Sequence, residues 1–173
     1  MKTLLLFFLI GIMSDSVNAQ QLPQVDIQKY QGPWYVIGYK PSPLDKKWKN
    51  TIESYSWDAE KKWYNTTTTY NKKPGAKMKT THLKLIPVEN TNNAKWIARI
   101  SFFIRADYTV YKIADDYSYV VVGHPKQKYL YIMARRPEMD EKLYKELVDF
   151  AVSQLHYNAA DIVRHDQSDN QKK

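Results

Sequence analysis

Eight short strand-like segments follow one another along this chain, and no helical pattern interrupts them. Each is rich in Tyr, Trp, Thr, Val or Ile and is bounded by Pro, Gly, Asn, Asp or charged residues. Consecutive strands on short loops form an antiparallel meander, and closing it into an up-and-down barrel removes the exposed edges. The sequence therefore predicts an all-β fold, an eight-stranded antiparallel barrel. Its strands are predicted at Trp34–Tyr39, Thr51–Trp57, Lys62–Tyr70, Thr80–Ile86, Lys95–Phe103, Tyr108–Ile113, Tyr119–Gly123 and Tyr129–Ala134.

The hydrophobic period changes after the last strand. Apolar residues then recur three or four apart, which predicts one amphipathic helix at about 140–156, packed on the outside of the barrel. A single helical turn capped by Asp26 is expected before the first strand. A short strand is predicted at Ala160–Val163, and the polar tail, residues 164–173, is predicted to be disordered. The length suits one domain, which these patterns place at residues 20–163.

The N-terminus has the pattern of a secretory signal peptide. Lys2 is followed by the apolar run Leu4–Met13, which is too short to span a bilayer, and then by small residues ending at Ala19. The sequence therefore predicts a signal peptide over residues 1–19 and an exported protein, with a short membrane anchor as the alternative. The chain has no cysteine, so neither a disulfide nor a lipid-modified cysteine is available. The expected location is periplasmic or extracellular, in soluble form.

The net charge is +8, from 26 Lys and Arg residues against 18 Asp and Glu residues. This balance favours anionic partners. The lysines are spread along the chain without a dense arginine run, so no nucleic-acid partner is expected. Either the surface is simply basic and solvated, or it contacts an anionic membrane surface peripherally. A monomer or a homodimer is equally compatible with the sequence.

Three short segments mark the ends of predicted strands: Gly32-Pro33-Trp34-Tyr35, Asp115-Asp116-Tyr117 and Arg135-Arg136-Pro137. In this order, with a helix behind them, they resemble the signature of the lipocalin family. The chain is most similar to bacterial outer-membrane lipocalins and the apolipoprotein D group, which Ile100–Phe103 and Tyr129–Pro137 resemble further.

The resemblance implies structural roles for five residues at the closed end of the barrel. Trp34 would plug that end, and Arg135 would lie across its indole, an attractive contact when partly desolvated. Gly32 would permit the close approach. Asp116 and Tyr117 would form the turn between the sixth and seventh strands.

Alternation along the strands gives the expected barrel interior, because every second strand residue points inward. The predicted lining is apolar and aromatic with several hydroxyls, which suits an acyl chain whose polar end stays near the mouth. Alternatively, the same residues fill a narrow barrel completely. Gly38 is also predicted to face the interior. The predicted ligand-binding residues are Val36, Glu53, Tyr55, Thr66, Thr68, Ile100, Phe102, Tyr108, Val110, Val122, Tyr131 and Met133.

Glu53 is unusual in this lining. An inward-facing Glu53 would be a buried carboxylate that needs a donor or a proton, and it could bond a ligand head group or a tyrosine. A register shift of one residue would instead place it in solvent.

The lipocalin resemblance implies that the loop Lys40–Asn50, which follows the first strand, covers the open mouth. Lys46, Lys47 and Lys49 surround Trp48, a combination of cations with an interfacial aromatic residue. We therefore expect this rim to attract anionic head groups, unless it is an ordinary solvated loop.

No enzymatic constellation is evident, so no catalytic residue, metal or cofactor is predicted. The chain has neither a cysteine nucleophile nor a Gly-x-Ser-x-Gly elbow, and its four histidines lack metal-ligand spacing. The expected function is an exported carrier that sequesters a fatty acid, a lysophospholipid or a similar amphiphile, and the resemblance implies envelope lipid transfer or storage. One alternative is a protein-interaction module or secreted inhibitor that uses the open-end loops. A haem-binding or isomerase-type lipocalin, which would need His124 in the cavity, is another.

Overall fold

The computed structural model describes residues 21–171, and the predicted signal peptide lies outside them. Eight antiparallel strands follow each other around a closed barrel, because β1 pairs with both β2 and β8. A ninth strand joins the free part of β1, and the fold class is the one predicted. The elements are α1 (Ile27–Tyr30), β1 (Gly32–Lys40), β2 (Lys49–Asp58), β3 (Trp63–Asn71), β4 (Lys79–Pro87), β5 (Lys95–Arg99), β6 (Arg105–Ile113), β7 (Tyr119–Gly123), β8 (Leu130–Ala134), α2 (Glu141–Ser153), a 3-10 turn (Ala159–Asp161) and β9 (Val163–Arg164).

One half of the barrel interior is filled by aromatic rings. Tyr30 enters it from α1, whose N-cap is Asp26 as predicted, and packs among rings from five strands. The ring centroids lie 4.9–6.0 Å apart, the usual range for favourable aromatic pairs. This packing closes the end of the barrel where β1 begins. The other rings of this cluster are Trp34, Tyr55, Tyr64, Trp96 and Tyr108.

A bulge in β1 overturns the inward placement of Gly38. Val36 pairs with Met133 and Gly38 with Ile132, so Ile37 is an extra residue between them. The alternation is thereby reversed, and Gly38 faces α2 while Tyr39 joins the interior. A Cβ at Gly38 would lie 2.6 Å from the ring of Tyr144, which explains why a residue without a side chain occupies this position.

Strand β5 ends four residues earlier than predicted, at Arg99. Residues 101–103 form a bend that connects β5 to β6. The prediction that Phe102 lines the interior is therefore wrong, since its side chain is 84% exposed and that of Phe103 is 89% exposed. The turn begins where the backbone of Ile100 bonds Ile104, which removes both phenylalanines from the β ladder.

The predicted amphipathic helix is α2, slightly shorter than expected at Glu141–Ser153. Asp140 caps it by accepting from the backbone N–H groups of Lys142 and Leu143 at 3.0 and 3.1 Å. Its buried Leu147 and Ala151 pack on the outer faces of β7 and β8. The helix therefore covers the outside of the barrel, as the period of its apolar residues predicted.

The C-terminal segment is ordered, which corrects the prediction of a disordered tail and of a strand at Ala160–Val163. The pairing of β1 with β2 ends at Tyr35 and Ile52, and residues 163–170 lie in the gap beyond it. Gln167 Nε2 donates to the carbonyls of Val36 and Thr51, both at 2.8 Å, and so bridges the two strands. We call residues 163–170 the seam segment.

Further hydrogen bonds fix the seam segment on both sides. The N–H of His165 donates to the carbonyl of Ile37 at 2.8 Å, and that of Asn50 donates to Asp166 at 2.7 Å. The carboxylate of Asp169 accepts from Asn71 and from the N–H of Gly75, at 2.9 and 2.7 Å. Composition did not reveal this order, because the polar side chains bond buried backbone rather than water.

Gln167→Ala should destabilise the barrel measurably. The substitution removes both bridging hydrogen bonds and leaves buried carbonyls without this donor, a cost of about 1–3 kcal/mol. Urea unfolding followed by tryptophan fluorescence measures the loss. Gln154→Ala, at an exposed position after α2, is the matched control and should change the free energy of unfolding by less than about 0.5 kcal/mol. Equal effects of the two substitutions would contradict the bridging role of Gln167.

Candidate functional site

The closed end has the arrangement that the family resemblance implies. The guanidinium carbon of Arg135 lies 3.8 Å from the centroid of the Trp34 ring. Its Nη1 and Nη2 donate to the carbonyls of Pro33 and Lys29 at 2.9 and 2.7 Å. Gly32 has φ of +92°, and a Cβ there would lie 3.4 Å from Nη1 of Arg135. This end is a structural closure without free space.

The turn between β6 and β7 supports the same end. Asp116 accepts from the N–H of Ser118 at 2.9 Å, and the Ser118 side chain, followed by this backbone bond, lowers the pKa of the carboxyl. Tyr117 has φ of +59°, and its hydroxyl accepts from the N–H of Asp26 at 2.7 Å. The turn therefore fastens α1 across the bottom of the barrel.

The open half of the barrel contains a cavity of about 380 Å³. One wall is aliphatic and comes from β4, β5 and β6, with Leu83, Leu85, Ala98 and Ala106 as its main residues. The polar wall comes from β2, β3, the loop between β1 and β2 and the residues around the start of β8, with Tyr108 of β6 beside it, and it contains two carboxylates and several phenols. The polar residues are Asp45, Glu53, Tyr55, Tyr108, Tyr129 and Tyr131, with Thr66 and Thr68 beside them.

The structure separates the predicted lining residues into four groups. Glu53, Tyr55, Thr66, Thr68, Ile100, Tyr108 and Tyr131 line the cavity. Val36 lines a much smaller cavity behind it. Val110, Val122 and Met133 point inward but belong to the packed core, and Phe102 lies outside the barrel. Alternation thus identified most of the inward residues correctly. It did not distinguish those in the packed core from those that line the cavity, and it was wrong for Phe102, where β5 has already ended.

Glu53 is the terminus of a chain of phenols that reaches the centre of the core. Its Oε2 accepts a hydrogen bond from the hydroxyl of Tyr55. A phenol has one proton, so the hydroxyl of Tyr108, at 2.9 Å, must donate to Tyr55. By the same logic Tyr30, at 2.8 Å, donates to Tyr108. All three donors are thereby oriented toward the Glu53 carboxylate, which polarises each bond in turn.

Burial changes the acidity of this chain. Desolvation, with a smaller contribution from the negative charge of Asp45, raises the pKa of Glu53 to about 7, although the bond from Tyr55 acts in the opposite direction. Burial and the neighbouring Glu53 charge raise the pKa of Tyr55 well above its usual value. Near neutral pH the phenols are therefore protonated donors, and Glu53 is divided between its protonated and ionised forms.

The loop over the mouth is held by Asp45, which the sequence analysis did not select. Its carboxylate accepts from the N–H and hydroxyl of Ser42, at 2.6 and 2.9 Å, and from the hydroxyl of Tyr131 at 2.5 Å. The spacing of Ser42 and Asp45 is that of a local capping turn, and this could have indicated the interaction. Asp45 thus attaches the loop to the inner face of β8.

The rim residues predicted from this loop have different environments. Trp48 stacks on Tyr70 with centroids 3.9 Å apart and contributes to the cavity wall, so it is not a free interfacial residue. Lys46 and Lys47 are exposed. Lys49 begins β2 and pairs with Asp166 at 3.5 Å.

His165 of the seam segment lies in the small cavity behind the main one, which Glu53 and Tyr131 also line. Its Nε2 accepts from the N–H of Thr51 at 3.3 Å, and its ring contacts Tyr39 edge to face. Burial, assisted by the charge of Lys49, lowers the pKa of His165 to about 4. The imidazole is therefore neutral near pH 7.

Of the other histidines, His82 reaches the main cavity and His124 does not. His124 does not line it, and its Nδ1 accepts from the N–H of Lys126 at 2.9 Å. His82 reaches the cavity wall from β4 and bonds Thr67 at 3.2 Å. Within residues 21–171, no cluster of three or more His, Cys, Asp or Glu side chains is arranged for a metal ion. Neither α-helix of that range has the length and hydropathy that a bilayer crossing requires.

Glu53 and His165 should impose opposite pH dependences on stability. The pKa of Glu53 is raised from 4.5 to about 7, so the folded state binds more protons and stability falls as pH rises through that window. The pKa of His165 is lowered from 6.5 to about 4, so the unfolded state binds more protons, and the stability that His165 contributes rises as pH increases from about 4 to 6.5. Each effect is about 3 kcal/mol.

The two effects largely cancel in the natural chain between about pH 4.5 and 6.5. We expect His165→Gln to leave a falling dependence of unfolding free energy on pH, and Glu53→Gln to leave a rising one. Urea unfolding at several pH values measures both slopes. His156→Gln, at an exposed position, should keep the slope of the natural chain. Unchanged slopes in both buried variants would contradict this assignment.

Comparison with known proteins gives the family. A model of the lipocalin-like domain matches residues 25–167. Temperature-induced lipocalin-1 of Arabidopsis thaliana is 25% identical over 167 residues, covering 91% of this chain and 87% of that protein. Lobster apocrustacyanin A1 superposes with a TM-score of 0.65 at 15% identity, covering 83% of this chain and 80% of that chain. Insecticyanin of the tobacco hornworm Manduca sexta superposes with a TM-score of 0.65 at 17% identity, covering 85% of this chain and 83% of that chain.

The two solved structures share the fold at low identity, and the resemblance to the bacterial subgroup remains a prediction. The family model spans most of the described chain, including the closed-end residues and the greater part of the seam segment. This chain therefore belongs to the lipocalin family.

Proposed function

We propose that the protein is a carrier that sequesters a single-chain amphiphile, such as a fatty acid, a lysophospholipid or a similar molecule, in the open half of its barrel. The observation that carries the proposal is the cavity of about 380 Å³, with an aliphatic wall facing a polar one. Such a volume is within the range of small-molecule sites. An amphiphile placed there meets both kinds of wall at once.

The energetics favour a ligand with both an apolar and a polar part. Each buried CH₂ group is worth about 0.8 kcal/mol, so a ten-carbon chain gains about 8 kcal/mol. Association costs at least about 4 kcal/mol. What remains corresponds to binding near 1 mM. A tighter complex therefore needs the hydroxyls and carboxylates of the polar wall.

The carrier role requires no chemical step, and we propose no enzymatic activity. We propose further that the protein acts outside the cytoplasm, in the periplasm or the extracellular space, on the basis of the apolar run Leu4–Met13 and the small residues that follow it. Transfer or storage of envelope lipids is the role that this location would serve.

Ala106→Phe should block the cavity. Ala106 is partly buried on the aliphatic wall, so a phenyl ring there extends into the free volume instead of into packed core. We expect affinity for Nile red, a neutral apolar dye, to fall at least about tenfold, since the ring excludes the dye from its contacts. Fluorescence titration measures this affinity.

Ala160→Phe, at an exposed position of the 3-10 turn, is the control and should bind the dye as the natural chain does. Thermal unfolding shows whether both variants fold. Equal dye affinity in the natural chain and a folded Ala106→Phe variant would contradict the location of the site.

We propose that the same end of the barrel docks on an anionic membrane surface. Leu44, Phe102 and Phe103 are 70%, 84% and 89% exposed, and their loops both lie at the open end. Exposed cations surround them, and apolar side chains within a basic rim suit a bilayer with anionic head groups. These cations are Lys46, Lys47, Arg105, Lys126 and Lys128.

The barrel wall is incomplete beside the loop that contains Phe102 and Phe103. Within the described residues, β4 pairs with β5 at positions 84–87 only. The first half of β4 is therefore paired on one side, with β3, and has no strand neighbour among these residues on the side of β5. A second cavity of about 380 Å³ lies at this gap and shares four lining residues with the main one, namely Thr66, His82, Leu83 and Ile100. An acyl chain released from a bilayer would meet this gap directly.

Phe102→Ser with Phe103→Ser should weaken binding to vesicles of phosphatidylcholine containing about one third phosphatidylglycerol. The replacement of Lys46 and Lys47 by Ser should weaken it too, by removing cations that are each worth about 1 kcal/mol near such a surface. Vesicle co-sedimentation measures both effects.

Lys61→Ser with Lys62→Ser, at the closed-end turn between β2 and β3, is the control and should sediment as the natural chain does. Vesicle binding that survives all the open-end changes would contradict docking through this end.

A further inference from the structure

We propose that the ligand is a cationic amphiphile, an apolar body with an amine, whose ammonium group binds the Glu53 carboxylate. This inference rests on the carrier function and names the chemical class of its ligand. It narrows the range of amphiphiles, because it disfavours those whose buried group is itself a carboxylate.

The charges inside the cavity have the opposite sign from the chain as a whole. The chain has a net charge of +8, yet its cavity wall contains the carboxylates of Asp45 and Glu53. None of the ion pairs among residues 21–171 includes either of them. One lysine, Lys128, lines the cavity, and it lies at the mouth in the turn between β7 and β8. A buried carboxylate without a cation is costly, and a bound cation relieves that cost.

The two carboxylates differ in how fully their oxygens are used. Asp45 accepts from both groups of Ser42 and from Tyr131, so it already has three donors. Glu53 has the Tyr55 hydroxyl on Oε2, and in the described part of the chain no side-chain donor bonds Oε1. A carboxylate has acceptor sites for about four hydrogen bonds. Glu53 is therefore the residue with capacity left for a ligand donor.

The surroundings of Glu53 suit an ammonium group in two further ways. The rings of Tyr55, Tyr108, Tyr129 and Tyr131 line the same wall, and aromatic faces attract cations, most strongly when water is excluded. Thr66 also lines the cavity, and its buried hydroxyl has no hydrogen-bond partner within residues 21–171. An ammonium has three donors, which Glu53 and neighbouring hydroxyls can accept.

A fatty acid in this position would meet like charge. Its carboxylate would lie in the same low-dielectric space as Glu53 and Asp45, where repulsion is weakly screened. An alcohol of equal length has no such conflict, but it lacks the attraction. The structure thus orders three matched ligands, with the amine first, the alcohol second and the acid last.

The protonation of Glu53 should make the affinity for the amine depend on pH. Because burial raises the pKa of Glu53 to about 7, its ionised fraction grows between about pH 5.5 and 8, and amine affinity should grow with it. An alkylamine, with a pKa near that of lysine, about 10.4, stays charged throughout. His165 has its pKa lowered to about 4 and stays neutral in this window. The titratable groups that share a cavity with Glu53 are Tyr39, Asp45, Tyr55, His82, Tyr108, Lys128, Tyr129, Tyr131 and His165.

The test is isothermal titration calorimetry of the chain without its predicted signal peptide, with decylamine, decanol and decanoate as probes at about pH 8. We expect decylamine to bind at least about tenfold more tightly than decanol, and decanoate to bind more weakly than decanol, as the order of charge interactions requires. Decanoate binding as tightly as decylamine would overturn the proposal. Failure of all three to bind would instead reject the carrier function itself.

Variants then assign the effect to Glu53. Glu53→Gln keeps the shape of the side chain and should reduce decylamine affinity at least about tenfold, change decanol affinity less than about threefold and abolish the pH dependence. Glu60→Gln, on the exposed turn after β2, is the matched control, and His82→Gln should keep the pH dependence.

The second arm does not require Glu53→Gln to fold. Tyr55→Phe removes the phenol bond that lowers the pKa of Glu53, so the pH midpoint of decylamine binding should move upward. An amine affinity that is independent of pH in the natural chain, or equal in Glu53→Gln, would overturn the assignment.

Discussion

The contact between Arg135 and Trp34 is the interaction on which the rest of this barrel depends. β1 closes the sheet by pairing with β2 and β8, and Arg135 joins the start of β1 to the end of β8 and, through Lys29, to α1. Its cation over the indole is worth about 0.5–2 kcal/mol. Because α1 is held there, Tyr30 fills the closed half with the rings around it, and the free interior volume is left at the opposite end.

The seam segment links the closure of the barrel to its cavity. Beyond Tyr35 and Ile52 the two strands that should close the sheet separate, and Gln167 supplies the hydrogen bonds that the missing ladder would have made. The same segment places His165 in the small cavity that Glu53 also lines. Glu53, the seam segment and the proposed ligand site therefore form one contiguous region, and a ligand bound there would also change the stability of the seam.

The sequence predicted what depends on periodicity and missed what depends on single local events. Alternation identified the strands, and the three motif segments located the closed end. For Glu53, alternation left an inward side chain and a one-residue shift into solvent both open, and the structure shows the inward one. The extra residue Ile37 has no mark in the sequence, so the facing of Gly38 was wrong. The apolar run that ends in Phe103 reads as a strand until the turn at Ile100 breaks it. Composition could not show that the side chain of Gln167 bonds buried backbone.

The opposite charges of the surface and the cavity fit together if the ligand is a cationic amphiphile. Such molecules concentrate at anionic bilayers, since the surface potential attracts their head groups. In the docking that we propose, the basic rim with Phe102 and Phe103 contacts the same surface. The ammonium would then move from many lipid charges that water and salt screen to one buried carboxylate, while its chain stays in an apolar environment. The transfer therefore exposes little apolar surface to water, and its direction depends on how completely Glu53 is ionised.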